Sequence, residues 1–100
     1  MRIALVICSF LAACGGTVVD RDPFNTIQDC FDEHAKTEGL TVPHAITTCC
    51  LDHPISGNVA NVVCGATQTQ CESFLHDNLA ATDATTGEIT AACADYINQR

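Results

Sequence analysis

Cysteine and histidine recur in this chain at a spacing that suits a metal ion. Cys30 and His34 stand four residues apart, and so do Cys49 and His53. On a helix that spacing is about one turn, so each pair faces one way. Two such pairs on facing helices could offer two thiolates and two imidazoles to a tetrahedral zinc ion, or a thiolate–imidazole site to copper. The competing chemistry is simpler, because in an oxidising compartment Cys30 and Cys49 are disulfide partners. No Cys-x2-Cys accompanies the two pairs, and spacings of four arise readily by chance. The expected state is therefore disulfide-bonded with no metal and no cofactor, and metal capture by Cys30, His34, Cys49 and His53 is the alternative.

The remaining chemistry-bearing residues form no site. His44 and His76 lack a companion at ligand spacing. Ser73, His76 and Asp77 carry the letters of a hydrolytic triad, but they fall within about one turn of one helix, without a nucleophile elbow or an oxyanion loop. No phosphate-binding glycine loop and no His-Glu-x-x-His occurs. Asp20 and Asp22 do not extend into a calcium loop. Asp32, Glu33 and the other acids read as solvated helix faces. A raised carboxylate pKa needs a deep pocket, for which so short a chain has little room. The expectation is a non-enzymatic protein.

The leading residues say where such a protein works. Met1-Arg2 places one positive charge ahead of an apolar run, Ile3 to Ala13, interrupted by Ser9. Small residues close the run, the layout of a secretory signal peptide. The run is too short to span a bilayer as a helix, which takes about 20 residues. Its end, Leu11-Ala12-Ala13-Cys14, resembles the lipobox of bacterial lipoproteins. The resemblance covers only the leader and implies diacylglyceryl transfer to the Cys14 thiol, cleavage between Ala13 and Cys14, and acylation of the new amino terminus. Gly15, where aspartate would favour retention at the inner membrane, implies an outer-membrane destination. The expected division is a cleaved signal over 1–13, a lipidated cysteine and short tether over 14–22, and one domain over 23–100.

Cysteine arithmetic agrees. The chain has eight cysteines. Removing Cys8 with the signal and acylating Cys14 leaves Cys30, Cys49, Cys50, Cys64, Cys71 and Cys93, an even set fit for three disulfides. Cys49 and Cys50 have Cα atoms about 3.8 Å apart, short of the roughly 4.4–6.8 Å that a disulfide prefers. They should not pair with each other. On a helix their side chains diverge and staple that helix to two neighbours. Cys30 is expected to pair with Cys49 or Cys50, the other of those two with Cys64 or Cys93, and Cys71 with a remaining partner. An adjacent cysteine pair in a helical domain also occurs in plant lipid-transfer proteins and seed albumins. Their eight cysteines and Cys-x-Cys element are missing from residues 14–100, so no kinship follows.

Composition sets the remaining bounds. Losing Arg2 takes the formal charge from −8 to −9. So acidic a chain repels phosphate backbones and anionic lipid surfaces, which excludes nucleic acid as a partner. Membrane attachment must then come from acyl chains on Cys14, of which two or more anchor stably. An envelope or extracellular protein remains the expected partner. With no Trp, one Tyr and four Phe, the core is thin, which is a reason for covalent staples.

The elements that position these residues read as all-α, a small bundle of four helices, or five if 58–64 is helical, cross-linked by three disulfides. The first helix should start with Asp22 as N-cap and Pro23 behind it, and run to about Glu38 with Gly39 as the stop. Phe24, Ile27, Phe31 and Ala35 form its apolar stripe. A second helix over about 43–52 ends at His53-Pro54. Asn58 to Cys64 is β-branched and short, and reads as one or two helical turns. Thr67 to Gln70 and Thr85 to Glu88 are capping boxes. They open helices with the stripes Cys71, Phe74, Leu75, Leu79 and Ile89, Ala92, Cys93, Tyr96, Ile97.

Overall fold

Each helix in the structure, a computed structural model that describes residues 23–100, begins at a threonine whose side chain closes the first turn. Thr26 accepts from the Asp29 N–H and opens α1, Ile27–Phe31. Thr41 accepts from His44 N–H and opens α2, Val42–Asp52, with Pro43 in its first turn. Thr67 accepts from Gln70 N–H ahead of α3, Gln68–Asn78. Thr85 opens α4, Thr86–Gln99, with the full reciprocal box to Glu88. Such caps answer amide donors that a helix cannot satisfy internally. In the Thr67 box the return bond is displaced by one residue, since Gln70 Oε1 accepts from Ala66 N–H at 2.8 Å.

Helix α1 passes without a break into a π-helical segment, Asp32–Thr37. There the Glu38 N–H reaches back to the Glu33 carbonyl at 2.9 Å, and Leu40 N–H to His34 carbonyl at 3.0 Å. Gly39 follows at φ +83°, the left-handed stop expected of it. The start differs from expectation. Helix α1 begins after Thr26 instead of at Pro23, and the proposed Asp22 cap lies outside the described residues. Phe24 is extended because it pairs with the chain after α2: its N–H donates to the Pro54 carbonyl at 3.1 Å, and its carbonyl accepts from Ser56 N–H at 2.8 Å.

The segment 58–64 forms no fifth helix: Asn58 pairs with Ile55 in a bridge and turns run over 60–64. Asn61 sits at φ +53°, a conformation that interrupts any right-handed helix. Val59 and Val62 point outward, 67% and 51% exposed. The described residues therefore hold four helices and no strand, with isolated bridges at Phe24–Ile55 and Ile55–Asn58.

Helix α4 is central, packed on one side by α2 and on another by α3, while α1 leans on α2. Ile89, Ala92, Cys93 and Tyr96 are buried along it, as their spacing requires. Across α2, Thr47 is a buried hydroxyl that donates to the Pro43 carbonyl at 3.0 Å and lies 3.3 Å from the Ala92 carbonyl. Three disulfides staple the bundle: Cys30–Cys49 joins α1 to α2, Cys50–Cys64 joins α2 to the turns, and Cys71–Cys93 joins α3 to α4. Their Cα separations are 6.0, 5.6 and 5.7 Å, within the ordinary range. Cys49 and Cys50 do go to different neighbours.

Polar ties fasten the far ends. Gln28 donates to Asp83 at 2.8 Å and accepts from Ala80 N–H at 2.8 Å, joining α1 to the α3–α4 loop. Lys36 meets Asp32 at 3.1 Å and Asp83 at 3.2 Å. The bond from Gln28 and the charge of Lys36 hold the Asp32 carboxyl below its ordinary value, and the two carboxylates raise the Lys36 ammonium. At the other end the Tyr96 hydroxyl donates to the Gly65 carbonyl at 2.6 Å, with the Asn61 carbonyl at 3.0 Å. Arg100 adds a bond of 2.7 Å to the Gly65 carbonyl.

Burial pushes the Tyr96 phenol above its usual value of 10.0, against an opposing pull from Arg100. The folded state thus holds this proton to higher pH than the unfolded chain does. Its contribution to stability is complete below about pH 10 and is lost as pH rises through the folded-state value. The chain has one Tyr and no Trp, so phenolate absorbance reads Tyr96 alone. Its native ionisation midpoint should lie above that in denaturant; coincident midpoints would contradict the buried hydroxyl.

Candidate functional site

The four side chains singled out by spacing come together. Cys30 lies in α1, His34 in the π-helical segment, Cys49 in α2 and His53 at the C-cap of α2. Cys30 and Cys49 are fully buried, and His34 and His53 are each only 7% exposed. One ligand-type atom from each of Cys30, His34 and Cys49 lies within 4.8 Å of the others. The fourth residue joins through His34, whose Nε2 lies 2.9 Å from Nε2 of His53. In this form the two sulfurs are bonded to each other and present no thiolate.

The local structure explains the convergence. His53 precedes Pro54, which excludes the helical conformation, and its backbone is extended at φ −116°, ψ 125°. That turns the chain back toward Phe24 and brings the imidazole against His34. The π-helical turn carries His34 to the same wall. Wide turns of this kind occur inside helices mostly as single bulges and often at functional sites. Phe24 closes the outer side with its ring centroid 5.2 Å from that of His53 and 6.4 Å from that of His34. Both contacts are edge-on, a preferred arrangement for aromatic rings.

The hydrogen bonds assign the protons. Glu38 Oε1 lies 2.9 Å from His34 Nδ1, and an ionised carboxylate only accepts, so Nδ1 carries the hydrogen. In a neutral His34 ring Nε2 is then the acceptor, and His53 Nε2–H donates to it. The result is a relay of carboxylate, imidazole and imidazole whose middle member, His34, lies beside the disulfide. Sequence spacing located the two Cys/His pairs but neither Glu38 nor Phe24. The signal for Glu38 was its place four residues after His34, the spacing of side-chain neighbours on a helix. Phe24 had no such signal, because it acts from outside the helix.

The other candidates are scattered. Ser73, His76 and Asp77 are exposed on α3, and His44 is exposed on α2. A cleft of about 250 Å³ opens between the end of α3 and the start of α4, lined by residues that include His76, Leu79 and Ile89. It is smaller than the roughly 300–1,000 Å³ of typical small-molecule sites. Cys14 and the cleavage point after Ala13 lie outside the described residues. None of the described helices is long and apolar enough to cross a membrane. Comparison with protein-family models, with curated proteins and with solved structures finds no match to this chain.

Proposed function

We propose that this protein is a bacterial envelope lipoprotein, anchored through acylated Cys14 in the outer membrane, whose helical domain is a non-enzymatic structural or protein-binding module. The observation that carries the reading is the complete pairing of the six cysteines among the described residues. Cys14 has no partner left within the domain, as a lipid-bearing cysteine requires. Three bridges in so small a domain also favour an exported, oxidising setting. The anchor fixes the place, and the stapled bundle offers a rigid, acidic surface to a neighbouring envelope or extracellular protein.

An intact mass tests the anchor. The full chain, expressed in a Gram-negative host and extracted from membranes, should begin at Cys14 and carry the mass of a diacylglyceryl group and an amide-linked acyl chain. Reduction should add six hydrogens, two for each of the three bridges. Cys14→Ser should leave the signal uncleaved and the lipid mass absent. An unmodified Cys14 in the wild-type chain would overturn the reading.

A further inference from the structure

The Cys30–Cys49 bridge differs from the other two in its surroundings. His34 lies beside it, oriented by the Glu38 carboxylate, and meets the His53 imidazole at 2.9 Å. We propose that Cys30, His34, Cys49 and His53 form a redox-gated zinc site, which holds a disulfide when oxidised and one Zn2+ ion when reduced. The proposal stands on this geometry and does not depend on the lipid anchor.

The donor set suits the ion. Two thiolates and two neutral imidazoles make a tetrahedral site of the closed type. With Zn–S near 2.3 Å and Zn–N near 2.0–2.1 Å, ligand atoms sit about 3.3–3.8 Å apart. The sulfurs must therefore move apart once their bond is broken. The Nε2 atoms need to part by only about 0.4 Å to reach that spacing. One ligand atom from each of Cys30, His34 and Cys49 already lies within 4.8 Å of the others, and His53, outside that group, would enter the shell through its contact with His34. Two thiolates cancel the charge of Zn2+, so the buried assembly is neutral and avoids the cost of an uncompensated ion. Glu38 on His34 Nδ1 is the outer carboxylate that commonly orients a metal-bound histidine.

The exchange balances. A dithiol reductant gives two electrons and two protons to the Cys30–Cys49 bond and becomes a disulfide itself. The S–S bond breaks, leaving two thiols. Zn2+ then forms two bonds to sulfur with release of two protons, and two bonds to nitrogen. The proton between the imidazoles moves from His53 Nε2 to His53 Nδ1, freeing both Nε2 lone pairs. In either state the same two side chains staple α1 to α2, so the metal replaces the bridge without requiring another fold.

The oxidised full chain, held in buffers of graded dithiol-to-disulfide ratio with and without Zn2+, tests this. Zinc at about ten times its dissociation constant should lower the ratio that opens Cys30–Cys49 by about tenfold. Native mass spectrometry should show a species with one zinc and two disulfides. Among the six cysteines of residues 23–100, alkylation after chelation should mark Cys30 and Cys49 only. The double variant His34→Gln, His53→Gln should lose the zinc effect while its bridge opens at the zinc-free ratio of the wild type. Glu38→Gln, which alters a half-exposed side chain, should weaken zinc by about tenfold or more and so remains readable if the double variant misfolds. Co2+ in the reduced wild type should give thiolate charge-transfer and tetrahedral bands. No zinc effect in the wild type, an undiminished effect in both variants, or label at Cys50, Cys64, Cys71 or Cys93 would overturn the assignment.

Discussion

Replacing Cys71 and Cys93 together by alanine should cost the domain about 3 kcal/mol, read as a lower denaturant midpoint. The bridge closes 22 residues, and both sulfurs are fully buried. Alanine is chosen because serine would leave buried hydroxyls to satisfy. The loss is large against the roughly 5–15 kcal/mol by which small domains are stable. It should be felt most by α3. Its buried residues are only Cys71 and Leu75, with Leu79 at its cap, so little packing replaces the covalent tie to α4. Hydrogen exchange should show α3 amides losing protection ahead of those in α2. A cost below about 1 kcal/mol would mean that packing alone holds α3.

Gly65→Ala should cost about 2–4 kcal/mol, the sum of two penalties. Its backbone stands at φ +89°, which is strained for any residue with a Cβ. A Cβ there would also meet the Gln70 Cβ at 2.8 Å, an atom fixed by the first turn of α3. Any relief moves the Gly65 carbonyl, which accepts from both Tyr96 and Arg100. Gly39→Ala is the matched control, with φ +83° and nothing within 4 Å of the added atom. It should cost only about 1 kcal/mol. Equal midpoints for the two variants would show that the contact with Gln70 is relieved cheaply.

How much of this was legible in the sequence follows from how local each cause is. The helix α4 was readable nearly to the residue, because the Thr85–Glu88 box and the Ile89-to-Ile97 stripe lie within one continuous segment. The end of α2 was readable for the same reason, since His53-Pro54 acts through the backbone itself. The start of α1 was not, because Phe24 follows Pro54 and Ser56, some thirty residues away, and not the apolar stripe to which its spacing assigned it. Whether 58–64 makes a fifth helix was not legible, because a short β-branched run is ambiguous and the causes that shape it are remote. They are the Cys50–Cys64 bridge and the Tyr96 hydroxyl on the Asn61 carbonyl.

The site divides along the same line. The two Cys/His spacings named all four residues but not how they meet, since His34 lies in the π-helical segment and His53 is extended beyond the end of α2. The choice between Cys49 and Cys50 as partner of Cys30 stayed open, since it depends on how α1 lies on α2. The π-helical turn left no mark in the 3.6-residue pattern. The direct meeting of His34 with His53 came only from the fold.

The order of the three bridges has a consequence for how they form. Each of the six cysteines among the described residues is joined to its neighbour in the series: first with second, third with fourth, fifth with sixth. The loops lie in succession along the chain, and none threads or encloses another. A chain emerging amino end first presents each partner as the next thiol to arrive, with a single ambiguity at the adjacent pair Cys49-Cys50. First-come oxidation therefore yields the native set with almost no bond to be undone. The domain needs an oxidant as it emerges, and scarcely needs an isomerase afterwards.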